Sequence, residues 1–447
     1  MNEQLINTYN RPPYPTAVQS SLDAQSSIAC FDPTGRFIAA GSIFGVVRVW
    51  DLETREVVRH LVGHVGHITA LDWSRQSRYL LTAGDDWNVI LWDLEDTTQP
   101  AQRLMTFRQD HLVLSAQFHP RNSKVILVAI SGDVAVYDLR RDHEHNNWLI
   151  EGEPDTSCRV TCACFDASGR HIFVGMSNAQ IHVYNTRTKM LVARHRIAGL
   201  SGQIRVSDIR FTKSGRRFVT NSSDRTLRQF VTPVYPPPDL DGEILESDLE
   251  PTHRFSDPIN KTQWYALSYS PDGEWLAGGA ADPAAHKIYI WDTASDGQLA
   301  TALDGGTETL LWCDWNPARS MLLSNTSVGN ILLWHAPTQE RWGAFAGDFE
   351  ELDENIMYEE REDEFDIEDE TEIAKRKMLQ EEEEVDIDTI DVPPRWQFKA
   401  LPRPSPNDED LLWADEQPDA DRAEWSMHPR ELPIDDENER DNRYNTF

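Results

Sequence analysis

One pattern recurs seven times along the chain and keeps its count. A short apolar run closes on an aromatic at Phe31, Trp73, Phe118, Phe165, Phe211, Tyr269 and Trp315, and a turn usually follows. A second apolar run closes on Trp50, Trp92, Tyr137, Tyr184, Phe230, Trp291 and Trp334. The paired aromatics stand 19 residues apart in six repeats and 22 apart in the remaining one, Tyr269 to Trp291. Side chains alternate faces along a strand, so a slip of one residue would turn every buried group outward. A count held this tightly belongs to strands stacked in register. The three extra residues of the sixth repeat fit a longer hairpin around residues 282–285.

Repeats begin every 42 to 47 residues, apart from a longer step between the fifth and sixth. That is the WD40 period, one four-stranded blade per repeat. The expected fold is all-β, a seven-bladed WD40 propeller over residues 1–341. The second repeat carries Gly63, His64, Thr82, Asp86, Trp92 and Asp93 in the WD40 arrangement, where His, Thr, Asp and Trp form a hydrogen-bonded chain. His64 is therefore read as a core hydrogen bonder and not as a catalyst. Asp224 repeats the aspartate place, six residues before the closing aromatic. Phe44, Ser131, Asn178, Ala285 and Val328 stand there in the other blades, so most blades are expected to rely on apolar packing. Between Phe230 and Trp264 sits an insertion, from residues 232–242 onward, whose prolines and acids exclude a central strand, and it reads as an exposed loop. For closing the ring onto blade seven, residues 3–9 are one candidate strand and residues 338–346 the other.

The net charge of −33 is unevenly placed. Residues 1–340 hold 39 acids and 30 bases; residues 341–447 hold 36 acids and 12 bases, a net of −24. A near-balanced globular part is thus followed by an acidic tail, expected to be mostly disordered and to attract basic partners. No run reaches the roughly 18 apolar residues of a membrane helix, and the N-terminus lacks a secretory layout, so no membrane contact is expected. Five cysteines (Cys30, Cys158, Cys162, Cys164 and Cys313) are too few and uneven for a disulfide scaffold, which suits a reducing compartment.

No nucleophile elbow, phosphate loop or metal-binding His/Glu helix motif is present. Cys158, Cys162 and Cys164 invite a zinc reading, but no second ligand pair has the spacing, and buried strand thiols explain them better. No catalytic residue, cofactor or metal is expected. A basic stretch in the fifth repeat, Arg205, Arg210, Lys213, Arg216, Arg217, Arg225 and Arg228, is either a solvated turn surface or a patch for phosphates or an acidic segment.

After Trp334 the acids are interleaved with apolar groups, as a linear docking segment requires. Residues 342–355 carry Trp342, Phe345, Asp348, Phe349 and Leu352. Residues 356–370 carry Tyr358, Glu359, Glu360, Glu362, Glu364, Phe365, Asp366 and Ile367. A third segment is Glu384, Val385, Asp386, Ile387, and a basic break, Lys375, Arg376, Lys377, precedes it.

A seven-bladed WD40 domain followed by these segments resembles the retinoblastoma-binding protein five family, the WD40 scaffold subunit of COMPASS and MLL-type histone H3 lysine-4 methyltransferases. The resemblance runs to about residue 391. It implies a nuclear chromatin regulator in which residues 342–355 contact the catalytic SET-domain subunit. Residues 358–369 would dock on the SPRY domain of the Ash2-type subunit, and residues 384–387 on a second, smaller WD40 subunit. Asp363 stands where some members have a serine, replacing a switchable charge by a permanent one. Family members contact nucleosomal DNA through arginines on one face. Arg225 matches one of them, with Arg216 and Arg217 as further candidates; Lys261, Pro283 and Gly306 fall near the other places. Residues 392–447 match no known segment. A WD40 substrate receptor of a ubiquitin ligase is the rival reading, in which the acidic tail has no job.

Overall fold

The computed structural model describes residues 14–95, 103–139, 148–149, 159–199, 204–235, 244–256, 263–294 and 297–336, together with Lys375. Seven sheets follow one another around a ring, antiparallel throughout but for one added strand in blade four. Blade two shows the plan: Ile68–Trp73, Tyr79–Gly84, Asn88–Asp93 and Arg103–Arg108 pair in sequence order from the inside outward. In blade after blade the innermost strand takes an irregular step near its start, as between Ile68 and Ala70 or Val206 and Asp208. The shared 19-residue spacing is this shared register.

Between neighbouring blades the second and third strands are almost wholly buried, and seven apolar clusters run around the ring. Val47 and Val49 of blade one cluster with Leu80 and Trp92 of blade two, for example, and Phe173, Ile209, Phe218 and Phe230 join blades four and five. The extra residues of the sixth repeat lie in the hairpin between Trp275–Ala280 and Lys287–Asp292.

Ring closure differs from expectation. The outer strand of blade seven is Ala17–Asp23, which pairs antiparallel with Asn330–His335. Only Ala24 and Gln25 separate it from Ser26–Phe31, the innermost strand of blade one. That short link ties the first and last blades directly, whereas a strand at residues 3–9 would need a long connector to reach blade one. Its exposure alternates weakly, with Leu22 the buried anchor, as suits an outer edge.

The insertion after blade five is also more ordered than a loop. Leu245–Leu249 returns to blade four as a fifth strand, parallel to Leu191–Ile197. His253–Phe255 then forms the outer strand of blade five. Leu249 and Phe255 are buried, while Glu246 and Asp248 face solvent, so the segment has one apolar edge to dock. His195 fastens it: its ring nitrogens lie 2.8 Å from Ser247 Oγ and 2.8 Å from Tyr235 Oη. Burial lowers the pKa of His195, which favours the neutral ring.

Candidate interaction site

Propellers bind through the ends of the ring and its central channel. Here the upper end is the one carrying the links between blades and the turns between second and third strands; the lower end carries the other turns.

Inside blade two the polar chain is complete. His64 Nε2 lies 2.8 Å from Thr82 Oγ1, His64 Nδ1 lies 2.9 Å from Asp86 Oδ1, and Trp92 Nε1 donates to Thr82 Oγ1 at 3.0 Å. Burial lowers the His64 pKa, partly offset by Asp86, so this is a buried connector. Two further blades keep polar links that spacing alone did not reveal. In blade three Tyr137 Oη donates to Gln109 Oε1 at 2.9 Å. In blade seven Ser324 Oγ accepts from Trp334 Nε1 at 2.8 Å and meets His286 Nε2 at 2.8 Å. His286 comes from the long hairpin of blade six, so the three extra residues deliver a histidine to the neighbouring blade. Blades three and seven therefore do not rely on apolar packing alone. Asp224, at the aspartate place of blade five, pairs instead with buried Arg228.

In three blades the channel is stitched by the residue before the first aromatic, a role that sequence reading missed. Asp72 Oδ2 accepts from Phe118 N at 2.5 Å, Asp314 Oδ2 from Phe31 N at 3.0 Å, and Ser268 Oγ from Trp315 N at 2.9 Å. Each bond crosses to the next blade. Arg210 occupies the same place in blade five. Its Nε lies 3.0 Å from Asp208 Oδ2, and its guanidinium sits 5.3 Å from the Trp312 ring centroid. The Asp208 carboxylate raises the pKa of Arg210 further, and burial pushes the Asp72 carboxyl up to about 7. Asp72, Asp208, Arg210, Trp312 and Asp314 line a cavity of about 290 Å³ with Cys30 and Cys162. Cys162 and Cys164 are buried free thiols, the former pushed up to about 12 by burial; Cys158 lies outside the described residues. Among the described residues no group of three or more His, Cys, Asp or Glu side chains is placed to hold a metal.

The basic stretch of blade five does not form one patch. Arg210 faces the channel and Arg228 is ion-paired inside the blade. Lys213, Arg216 and Arg217 sit at the lower end, with Arg217 Nη1 donating to Thr293 O at 3.4 Å. Arg225 sits at the upper end in a turn with φ of 67°. The six-residue strand Arg217–Ser222 separates them, roughly 20 Å at 3.3 Å per residue. Grouping Arg225 with Arg216 and Arg217 is therefore corrected. On blades four and five, exposed Arg159 and Arg205 share the end of Arg225 and open the inner strands of these blades. Each is held alike, its backbone N–H donating at 3.1 Å to Ser177 Oγ or Ser223 Oγ.

The tail segments named above (Trp342 to Leu352, Tyr358 to Ile367, and Glu384 to Ile387) lie outside the described residues.

Residues 55–93, which include three strands of blade two, match the WD domain, G-beta repeat family. The chain is 34% identical over 399 residues to the retinoblastoma-binding protein 5 homolog of Drosophila melanogaster, covering 88% of this chain and 78% of that one. It is 33% identical over 384 residues to the Set1 complex component swd1 of Schizosaccharomyces pombe, covering 83% and 91%. With the COMPASS component SWD1 of Saccharomyces cerevisiae identity is 30% over 373 residues, covering 80% and 84%. Among solved structures, the crystallised Cps50 (Swd1) beta-propeller domain of Myceliophteria thermophila superposes with a TM-score of 0.64 at 30% identity, covering 72% of this chain and all of that one. A WD40 propeller of this register, with identity extending over most of both chains, places the protein in the family of retinoblastoma-binding protein 5 and Swd1.

Proposed function

We propose that this chain is the non-catalytic scaffold subunit of a COMPASS-type histone H3 lysine-4 methyltransferase in the nucleus. The observation that carries this is the 33% identity to a Set1 complex component across 91% of that protein's length. In this reading the chain divides into a propeller to about residue 341, a docking tail over 342–391, and an acidic extension of unassigned role over 392–447.

In this reading Trp342, Phe345, Asp348, Phe349 and Leu352 meet the SET-domain subunit. Tyr358, Phe365 and Ile367 fill pockets on the Ash2-type subunit, while Glu359, Glu360, Glu362, Glu364 and Asp366 pair with its basic groups. Glu384, Val385, Asp386 and Ile387 enter a groove on the second WD40 subunit. Joining several weak contacts through short linkers raises effective concentration and turns them into one assembly. Stimulation follows if the assembled state holds the SET domain in its active conformation, a population shift requiring no chemistry from this chain. Nucleosomal phosphate contact, in turn, runs through the upper-end arginines Arg159, Arg205 and Arg225, and not through Arg216 or Arg217.

Reconstitution tests the assembly. The full chain should co-purify with SET-domain, Ash2-type and second WD40 subunits, and deletion of residues 342–391 should release at least two of them. Retention of all three by the deletion variant contradicts the proposal.

A further inference from the structure

The upper end of blades seven, one, two and three exposes bulky apolar side chains on consecutive turns. Val328 is 67% exposed, Ile43 53%, Phe44 68%, Val65 88%, Trp87 45% and Leu112 36%. Backbone contacts join these turns step by step. Ser26 N donates to Gly329 O at 2.9 Å, and Ser26 pairs with Ser42 at the foot of the Ile43–Phe44 turn. Gly45 packs so closely on His64 O that a Cβ there would lie 2.4 Å from it. Val65 N then donates to Asp86 Oδ2 at 3.2 Å, Gln109 N to Trp87 O at 2.8 Å, and Ser131 N to Leu112 O at 2.9 Å. The apolar groups thus form one arc on a rigid frame. Trp87 even holds a φ of 62°, a conformation bulky residues rarely adopt.

None of these side chains serves the core, and contiguous exposed apolar patches mark interaction surfaces. Charge narrows the partner. Asp23, Asp85, Asp110 and Asp133 are exposed at the same end of these blades and their outer strands, against Arg108. We propose that this arc docks a segment of a partner protein carrying bulky apolar side chains flanked by lysine or arginine. The chain's own acidic tail has the wrong sign, and it follows Asn330–His335, a strand running toward the lower end. A second copy would set acids against acids. The inference concerns the propeller and stands apart from tail docking.

A fluorescein-labelled peptide with two phenylalanines four residues apart and two lysines on each side is the probe, titrated into the full chain. Binding should weaken roughly tenfold or more when Phe44→Ser and Val65→Ser are combined. Both positions are exposed, so an unchanged melting temperature checks that the fold survives. Asp85→Lys with Asp110→Lys should shift preference toward the same peptide flanked by glutamates. The proposal is overturned if wild type prefers the glutamate-flanked peptide, which points to the acidic tail, or if the serine variants bind as wild type does. It is equally overturned if sedimentation shows self-association of the chain that Phe44→Ser and Val65→Ser abolish.

Discussion

Blades two and five carry a threonine at the same register, Thr82 and Thr220, each ten residues before the closing aromatic, and use it oppositely. Thr82 holds His64 and Trp92 through one hydroxyl. In blade five the closing aromatic is Phe230, which has no donor, and the buried Thr220 hydroxyl finds no partner among the described residues. Phe230 instead stacks on Phe218, with ring centroids 5.2 Å apart, and Phe218 meets Phe211 and Phe173. The channel continues the contrast, with Asp72 in blade two and Arg210 in blade five. One backbone register therefore accepts either a polar chain or an aromatic stack, because the strand pairing and not the interior chemistry sets the blade.

The largest effect should come from Phe230→Ala. Truncating a fully buried phenylalanine removes its burial and leaves a cavity, at a cost of about 3–5 kcal/mol, measurable by urea unfolding. A smaller effect would break the view that blade five rests on its aromatic stack. Next comes Thr82→Val, which leaves the buried His64 Nε2 and Trp92 Nε1 without their shared hydroxyl partner, at about 1–3 kcal/mol each.

A pH effect follows for the channel. Burial raises the Asp72 carboxyl to about 7, so folding favours its protonated form. Its contribution is whole below the ordinary carboxylate range and is lost as pH rises through 7. Melting curves from pH 4 to 8 should show Asp72→Asn gaining on wild type as pH rises. A constant gap would remove the channel from the account. The smallest effect is Thr220→Val, expected within about 0.5 kcal/mol of wild type or slightly stabilising, since no bond is lost. A cost matching that of Thr82→Val would erase the comparison.

Much of this was legible in the sequence, for reasons the residues make plain. The 19-residue spacing reports strand register, which a propeller cannot vary without exposing its core, so seven blades could be counted. Ala17–Asp23 was missed because an outer strand buries only Leu22 and alternates weakly. Leu245–Leu249 was hidden behind prolines that made the whole insertion read as a loop. The blade-five cations looked like one patch because they are close in sequence, yet a hairpin sends successive turns to opposite ends. His286 was invisible as a blade-seven residue because its partner Ser324 lies 38 positions away.

The central claim is that the tail docks by pattern and not by bulk charge. Its most direct measurement is the histone H3 methylation rate of the reconstituted complex with three chains: wild type, one with residues 358–369 shuffled at equal charge, and Phe365→Ala. The account predicts that the shuffled chain loses stimulation and that Phe365→Ala weakens it even at high salt, where exposed ion pairs are screened over about 8 Å or less. Full stimulation by the shuffled chain, or a silent Phe365→Ala, would contradict it.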